Sequence, residues 1–453
     1  MTEPYSLTLT EAARLVRERK LSPVDLVEAA LTRIDRLDGS LQAWVVIDRE
    51  GARSAAAELD REARHGHLRG PLHGVPIGIK DIFYTAGLKT EAGSKVLAGF
   101  VPDHDAEAVT RLKRAGAIVL GKLATTEFAL LDPAATRNPW NPGHTPGGSS
   151  SGSAAAVAAR MCHAAIGSQT IGSTIRPSAY CGIVGMKPGY GRISRYGMIP
   201  LAPSLDHVGI LARSVADAAA MLDVMAGADP RDPGSLALAS GGFIHAAARR
   251  ARTPRIALLP AVFDERANSG TQQAMAAAVA KLAAAGACVE AVEAPPSFGE
   301  IVANTGLELI AEAAEAHRER FTEKKDLYGP GVRDVIERGL VTPAWKYIRA
   351  LEVQRRFRRE VDQICLRFDV ILTPATPAAA PAGLGSTGDF SFNLPWSASG
   401  HPVVAIPCAL TPAGLPVSIQ LTGASLEEGR LLSIARWCEE ILAFDALPPG
   451  ASF

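Results

Sequence analysis

The sequence predicts an α/β protein, and three observations carry that prediction. Helical periodicities alternate with short apolar runs. Residues 106–115, a stop at Gly116 and the run 117–120 make one helix-to-strand unit, and residues 272–285, Gly286 and 287–290 repeat the pattern. The 42 glycines and 31 prolines are dispersed among apolar segments, which implies many tight turns rather than disorder. A hydrophobic content of 47% over 453 residues is enough for a large core.

The elements follow in chain order. Ser22, Pro23 and Asp25 supply an N-cap, a proline at the first helical position and an acid in the first turn. Leu26, Val27, Ala30, Leu31 and Ile34 then recur on one helical face. After the basic, glycine-punctuated residues 65–70, Val75-Pro76-Ile77-Gly78-Ile79 reads as a short buried strand with Lys80 at its end. Gly121-Lys122 close the strand 117–120, and residues 154–159 form a small-residue segment suited to a tightly packed helix. Residues 255–259 and 370–372 are further strand candidates. Residues 298–367 are charged and helix-rich, and their cluster Arg355-Arg356-Phe357-Arg358-Arg359 reads as a solvated helix face. The Pro-, Ala- and Gly-rich stretch 373–393 reads as a loop near the site. No linker divides the chain, so residues 1–453 are expected to form one domain with a helix-rich insertion at about 298–367.

Composition excludes several classes of partner. Lys plus Arg equals Asp plus Glu at 47 each, so there is no electrostatic case for nucleic acid or an anionic membrane. No apolar run approaches the ~20 residues of a membrane span, and residues 1–5 lack a basic-then-apolar leader pattern. The six cysteines are scattered without a C-x-x-C pair, which suits reduced thiols and a cytoplasmic location.

The chemistry concentrates in two Gly/Ser loops, at 147–153 and 172–174, on either side of the segment 154–159. Glycine lets backbone approach a ligand, and serine supplies a nucleophile or proton carrier. A flexible linker would not run into Ala154-Ala155-Ala156-Val157-Ala158-Ala159 and then repeat the motif. Serine needs a base to become nucleophilic. His73, His144, His163 and His207 sit in no serine or carboxylate motif and read as turn or packing residues, and no G-x-S-x-G elbow is present. A buried lysine is the other available base, because burial favours the neutral amine. Lys80 stands at the end of an apolar run, and Lys122 and Lys187 remain its rivals. Backbone N–H groups of Thr170, Ile171, Gly172 and Ser173 could converge on a developing oxyanion. No His/Cys/Asp/Glu cluster has metal-ligand spacing, and no Walker or dinucleotide motif occurs, so no metal or cofactor is expected.

At these residues the chain resembles the amidase signature family of serine hydrolases. The resemblance runs through 72–81, Gly121-Lys122, Glu127-Phe128-Ala129, Asn138-Pro139-Trp140-Asn141, 146–159, 167–182, Val184-Gly185-Met186-Lys187-Pro188 and Ser204-Leu205-Asp206. Looser similarity spans 22–217, 368–376 and 400–421. It implies a mixed β-sheet sandwiched by helices on both faces. It also implies a triad in which Lys80 is the base, Ser149 a relay serine held by a cis peptide, and Ser173 the nucleophile, with the 170–173 amides as oxyanion hole. The implied substrate is a small linear amide, with water as co-substrate and a homodimer admitted.

The sequence departs from the family's commoner loop, Gly-x-Asp-x-Gly-Gly-Ser-Ile-Arg. Gln169 stands for the acid, Ile171 for a small residue, Arg176 comes one place late, and Ser151 stands where glycine is commoner. These changes question the usual support of the oxyanion loop. Gln169, Phe392 and Trp396 are taken as substrate-pocket candidates, and the aromatics suggest an apolar, aryl or carbamate group. The alternatives are a glutaminase subunit of a tRNA-dependent amidotransferase, supported by the 191–197 stretch, and an inactive scaffold, which needs a missing triad residue.

Overall fold

A computed structural model describes residues 3–238, 241–249 and 253–450, so Met1 and Thr2 of the residues read for a leader lie outside it. Eleven strands form one mixed sheet among the described residues. They are β1 (Trp44–Ile47), β2 (Pro76–Lys80), β3 (Ile118–Leu123), β4 (Ala164–Gln169), β5 (Val184–Lys187), β6 (His207–Ala212), β7 (Arg255–Leu258), β8 (Cys288–Ala291), β9 (Val370–Pro374), β10 (Val403–Leu410) and β11 (Pro416–Gly423). Their spatial order is β1-β3-β2-β4-β6-β5-β10-β11-β9-β7-β8. β2 pairs in parallel with β3 and β4, and β7 with β8 and β9, while the centre from β4 through β6, β5, β10 and β11 to β9 is antiparallel.

Helices flank the sheet, and the alternation of side chains along the strands explains why both faces are covered. Successive residues of a strand point to opposite faces. Ala164 and Ile166 of β4, with Ile210 and Ala212 of β6, enter one apolar core, whereas Ala165 and Leu211 enter another. The second core is filled by the helix Pro23–Leu41, whose N-cap Ser22 accepts the N–H of Val24, and by the helices Arg49–Arg64 and Ser151–Ala158. No helix among the described residues is long and apolar enough to cross a membrane.

The strands expected at the ends of helix-to-strand units are present, with two differences in their surroundings. The run at 117–120 continues to Leu123, so Lys122 lies inside β3 rather than after it. Gly121 makes this possible: at φ +148° its backbone passes so close to β1 that a Cβ would lie 2.0 Å from the Val46 carbonyl oxygen. The loop expected over 147–153 is shorter, because the small-residue helix begins at Ser151. Residues 298–367 form the helices Phe298–Lys324, Pro330–Leu340 and Ala344–Arg367, joined by short turns.

Candidate active site

Lys80 is the last residue of β2, and β2 runs parallel to β4 with Ile79 opposite Ile166. Both strands therefore open at the same edge of the sheet, where chain leaving parallel strands commonly builds sites. The chain leaving β4 turns through residues 170–174 into the helix Ile175–Cys181. The helix Ser151–Ala158 brings the other loop to this edge. It packs closely because Gly152 has no side chain: a Cβ there would lie 2.2 Å from the Ala43 carbonyl oxygen and 2.4 Å from the Ala124 nitrogen. Hydrogen bonds then stitch the loops together. Ser150 N–H donates to the Ser173 carbonyl at 3.3 Å, and Ser153 Oγ donates to the Ile166 carbonyl at 3.1 Å. Ser151 Oγ donates to the Gly147 carbonyl at 2.7 Å, so the serine that replaces a commoner glycine braces the loop. The Gly148–Ser149 peptide bond is cis.

Lys80 Nζ lies 2.7 Å from Ser149 Oγ and 2.8 Å from Ser168 Oγ. The side chain is fully buried, and burial holds its pKa well below the ordinary 10.5, with Asp206 the charged group opposing that shift. A neutral amine keeps one lone pair and two N–H groups, so it can accept a proton from one hydroxyl while donating to the other. Lys122 and Lys187 are equally buried, and burial lowers them to about 8 and about 7. Their partners differ, however. Lys122 donates to the Phe83 carbonyl at 2.7 Å and to Thr90 Oγ1 at 2.5 Å, and lies 3.3 Å from Asp81 Oδ1. Lys187 donates to the carbonyls of His401 at 2.6 Å and Pro188 at 3.3 Å. The histidines hold backbone carbonyls: His73 that of Leu59, His144 that of Ala380 and His207 that of Leu205.

The second loop divides its amides into two groups. The N–H groups of Thr170, Ile171, Gly172 and Ser173 donate to no acceptor among the described residues. The next two, of Thr174 and Ile175, both donate to Gln169 Oε1 at 2.9 Å. Gln169 Nε2 in turn donates to Ser397 Oγ at 2.9 Å. Gln169 is thus a buried brace of the loop and not a pocket residue. Its amide oxygen satisfies the first N–H groups of the following helix, which answers the question raised by the missing acid. Thr170 Oγ1 donates to Asp206 Oδ1 at 2.7 Å, and burial raises Asp206 to about 6 although it also accepts the N–H groups of Leu201 and Ala202. Arg176 ties three segments together: Nη2 donates to the Gly148 carbonyl at 2.6 Å and to Thr387 Oγ1 at 2.9 Å, and Nη1 to the Gly388 carbonyl at 3.1 Å.

Ser173, Thr170 and Ile171 border a cavity of about 630 Å³, also lined by the helices Phe298–Lys324 and Pro330–Leu340 and by residues 385–388 and Phe390. Phe390 and Leu394 line it. Phe392 and Trp396 do not. Both are fully buried, with ring centroids 4.8 Å and 6.4 Å from that of Phe263, and they serve the aromatic core.

The amidase family model matches residues 25–432, a span that contains every residue of this site. The chain belongs to the amidase family. Known members resemble this amidase along nearly its whole length. A glutamyl-tRNA(Gln) amidotransferase subunit of Anaeromyxobacter dehalogenans (strain 2CP-C) is 37% identical, with 98% of each chain covered. Among solved structures, the native peptide amidase of Stenotrophomonas maltophilia is 32% identical with a TM-score of 0.85, covering 98% of each chain. A 6-aminohexanoate cyclic dimer hydrolase in complex with its substrate is 25% identical with a TM-score of 0.90 over the whole of both chains. The mixed sheet with flanking helices is the amidase fold these neighbours share. Within this amidase, reading the sequence missed Ser168 as a partner of Lys80 and Arg176 as the tie between loops. Ser168 sits immediately before the flagged Gln169, and the folded ends of β2 and β4 bring its hydroxyl to Lys80, 2.8 Å from Nζ.

Proposed function

We propose that this amidase cleaves a linear amide through Ser173, with Ser149 and Lys80 as its proton relay. The observation that carries the reading is the 2.7 Å contact between Ser149 Oγ and a fully buried Lys80 whose pKa burial holds well below 10.5. As Ser173 Oγ attacks the carbonyl carbon, its proton passes to Ser149 Oγ, and the proton of Ser149 passes to Lys80 Nζ. The carbonyl oxygen becomes an oxyanion that accepts from the free N–H groups of 170–173. Collapse breaks the C–N bond, and the relay returns its proton to the departing amine. Water then attacks the acyl ester, gives its proton to the same relay, and releases the acid and Ser173.

The lining of the cavity supports an apolar or aryl amide or a carbamate, because Val302, Leu307, Ile310, Val335 and Phe390 form much of its wall. A second reading, the glutaminase subunit of a tRNA-dependent amidotransferase, is favoured by the 37% identity to a component of such an enzyme. Incubating the purified chain with glutamine and, separately, with anilides, carbamates and aliphatic amides tests both. Release of aniline without ammonia from glutamine supports the first reading, and ammonia from glutamine alone supports the second. If no amide is cleaved by either route, both are wrong.

A further inference from the structure

The wall of the cavity carries two charged side chains, and both are arginines: Arg176 beside Ser173, and Arg338 on the helix Pro330–Leu340. No carboxylate among the described residues lines it. This asymmetry stands out in a chain whose formal charge is zero. Arg176 is buried, and Asp389 is near enough to favour its charge. Burial lowers Arg176 only to about 10, so it stays cationic at neutral pH. Its Nη groups are taken up by Gly148, Thr387 and Gly388, so it gives the cavity a positive field rather than a free hydrogen-bonding fork. Arg338 is the opposite case. Its side chain is more than half exposed, and its ion pair with the equally exposed Asp334 spans 3.3 Å. Exposed i,i+4 pairs of this kind are weak, so the guanidinium can exchange Asp334 for a better acceptor.

We propose that the cavity takes an amide whose apolar body bears a carboxylate, and that Arg338 binds that carboxylate while the amide lies at Ser173. A carboxylate receives two parallel N–H bonds from such a fork, whereas a neutral ester of the same shape does not. The inference rests on the amide-hydrolase reading of the site, but its test separates the two.

The test uses the p-nitroanilides of succinic, glutaric and adipic acids as free monoacids, alongside their methyl esters. Calorimetric titration into the Ser173→Ala protein reads binding without turnover. At least one monoacid should bind about tenfold or more tightly than its ester, the scale of a charge-assisted hydrogen-bonded contact. Adding Arg338→Gln should collapse that ratio towards one, and Arg338→Lys should restore part of it. Monoacids and esters binding alike, or a preference that survives Arg338→Gln, would overturn the inference. Release of p-nitroaniline by the unmodified enzyme is read in parallel. Release without acid preference removes this inference and leaves the hydrolase reading standing. Acid preference without any release does the reverse.

Discussion

Lys80 and Lys187 occupy matching places in one sheet and meet different neighbours. Each is the last residue of its strand, each is fully buried, and burial lowers the pKa of each below 10.5. Lys187 ends against two carbonyl oxygens, which can only accept, so the amine is fixed as a donor and bolts β5 to the chain before β10. Lys80 ends against two serine hydroxyls, which can donate or accept, so its lone pair stays available. Burial prepares a lysine as a base, and the partner decides whether it can act as one.

The most severe challenge to this contrast is a matched pair of substitutions. Lys80→Met should lower kcat/KM for amide hydrolysis by about 10³-fold or more, and Lys187→Met by less than about tenfold per folded molecule. Steady-state kinetics on protein checked for fold by circular dichroism reads both, and equal losses would erase the distinction. Ser149→Ala should cost about 10²–10⁴-fold in kcat, the range of a proton-transfer group, with little change in KM.

A pH experiment sharpens the contrast. kcat/KM should rise with pH as Lys80 loses its proton, through a midpoint well below 10.5. Stability follows from the same shifts. Between the folded value of Lys187, about 7, and the unfolded 10.5, the unfolded chain binds a proton that the folded chain lacks. Stability therefore rises as pH climbs through that window, and the penalty is complete below about 7. Chemical denaturation at pH about 7 and about 10 should show this rise, and Lys187→Met should make it smaller, leaving the part that Lys80 and Lys122 contribute. The smallest expected effect concerns the brace behind Ser173. Gln169→Ala leaves the N–H groups of Thr174 and Ile175 without their acceptor and Ser397 Oγ without its amide donor, and should lower stability by about 1–3 kcal/mol in urea unfolding.

Much of this site was legible in the sequence because it is built from residues with few alternative uses. A lysine at the end of an apolar run and two Gly/Ser loops around a small-residue helix have a narrow choice of packing. The strands β2, β3, β7, β8 and β9 were legible for the same reason, as apolar runs bounded by turn signals. β4 was not. Ala164-Ala165-Ile166-Gly167-Ser168-Gln169 has one β-branched residue, and it is a strand because β2 and β6 flank it. Without β4, neither Ser168 nor the inward turn of Gln169 could be read. The aromatics show a second limit. Phe390 and Phe392 differ by two positions in an irregular segment, and only the fold sends the first to the cavity and the second to Phe263.

In the proposed mechanism Ser173 attacks, and Lys80, through Ser149, makes it nucleophilic. A fluorophosphonate that traps activated serines, followed by peptide mass spectrometry, tests it most directly. One adduct is expected on Ser173, absent from Ser173→Ala and strongly slowed in Lys80→Met but not in Lys187→Met. An adduct on another serine, or labelling of Ser173 at an unchanged rate without Lys80, would contradict it.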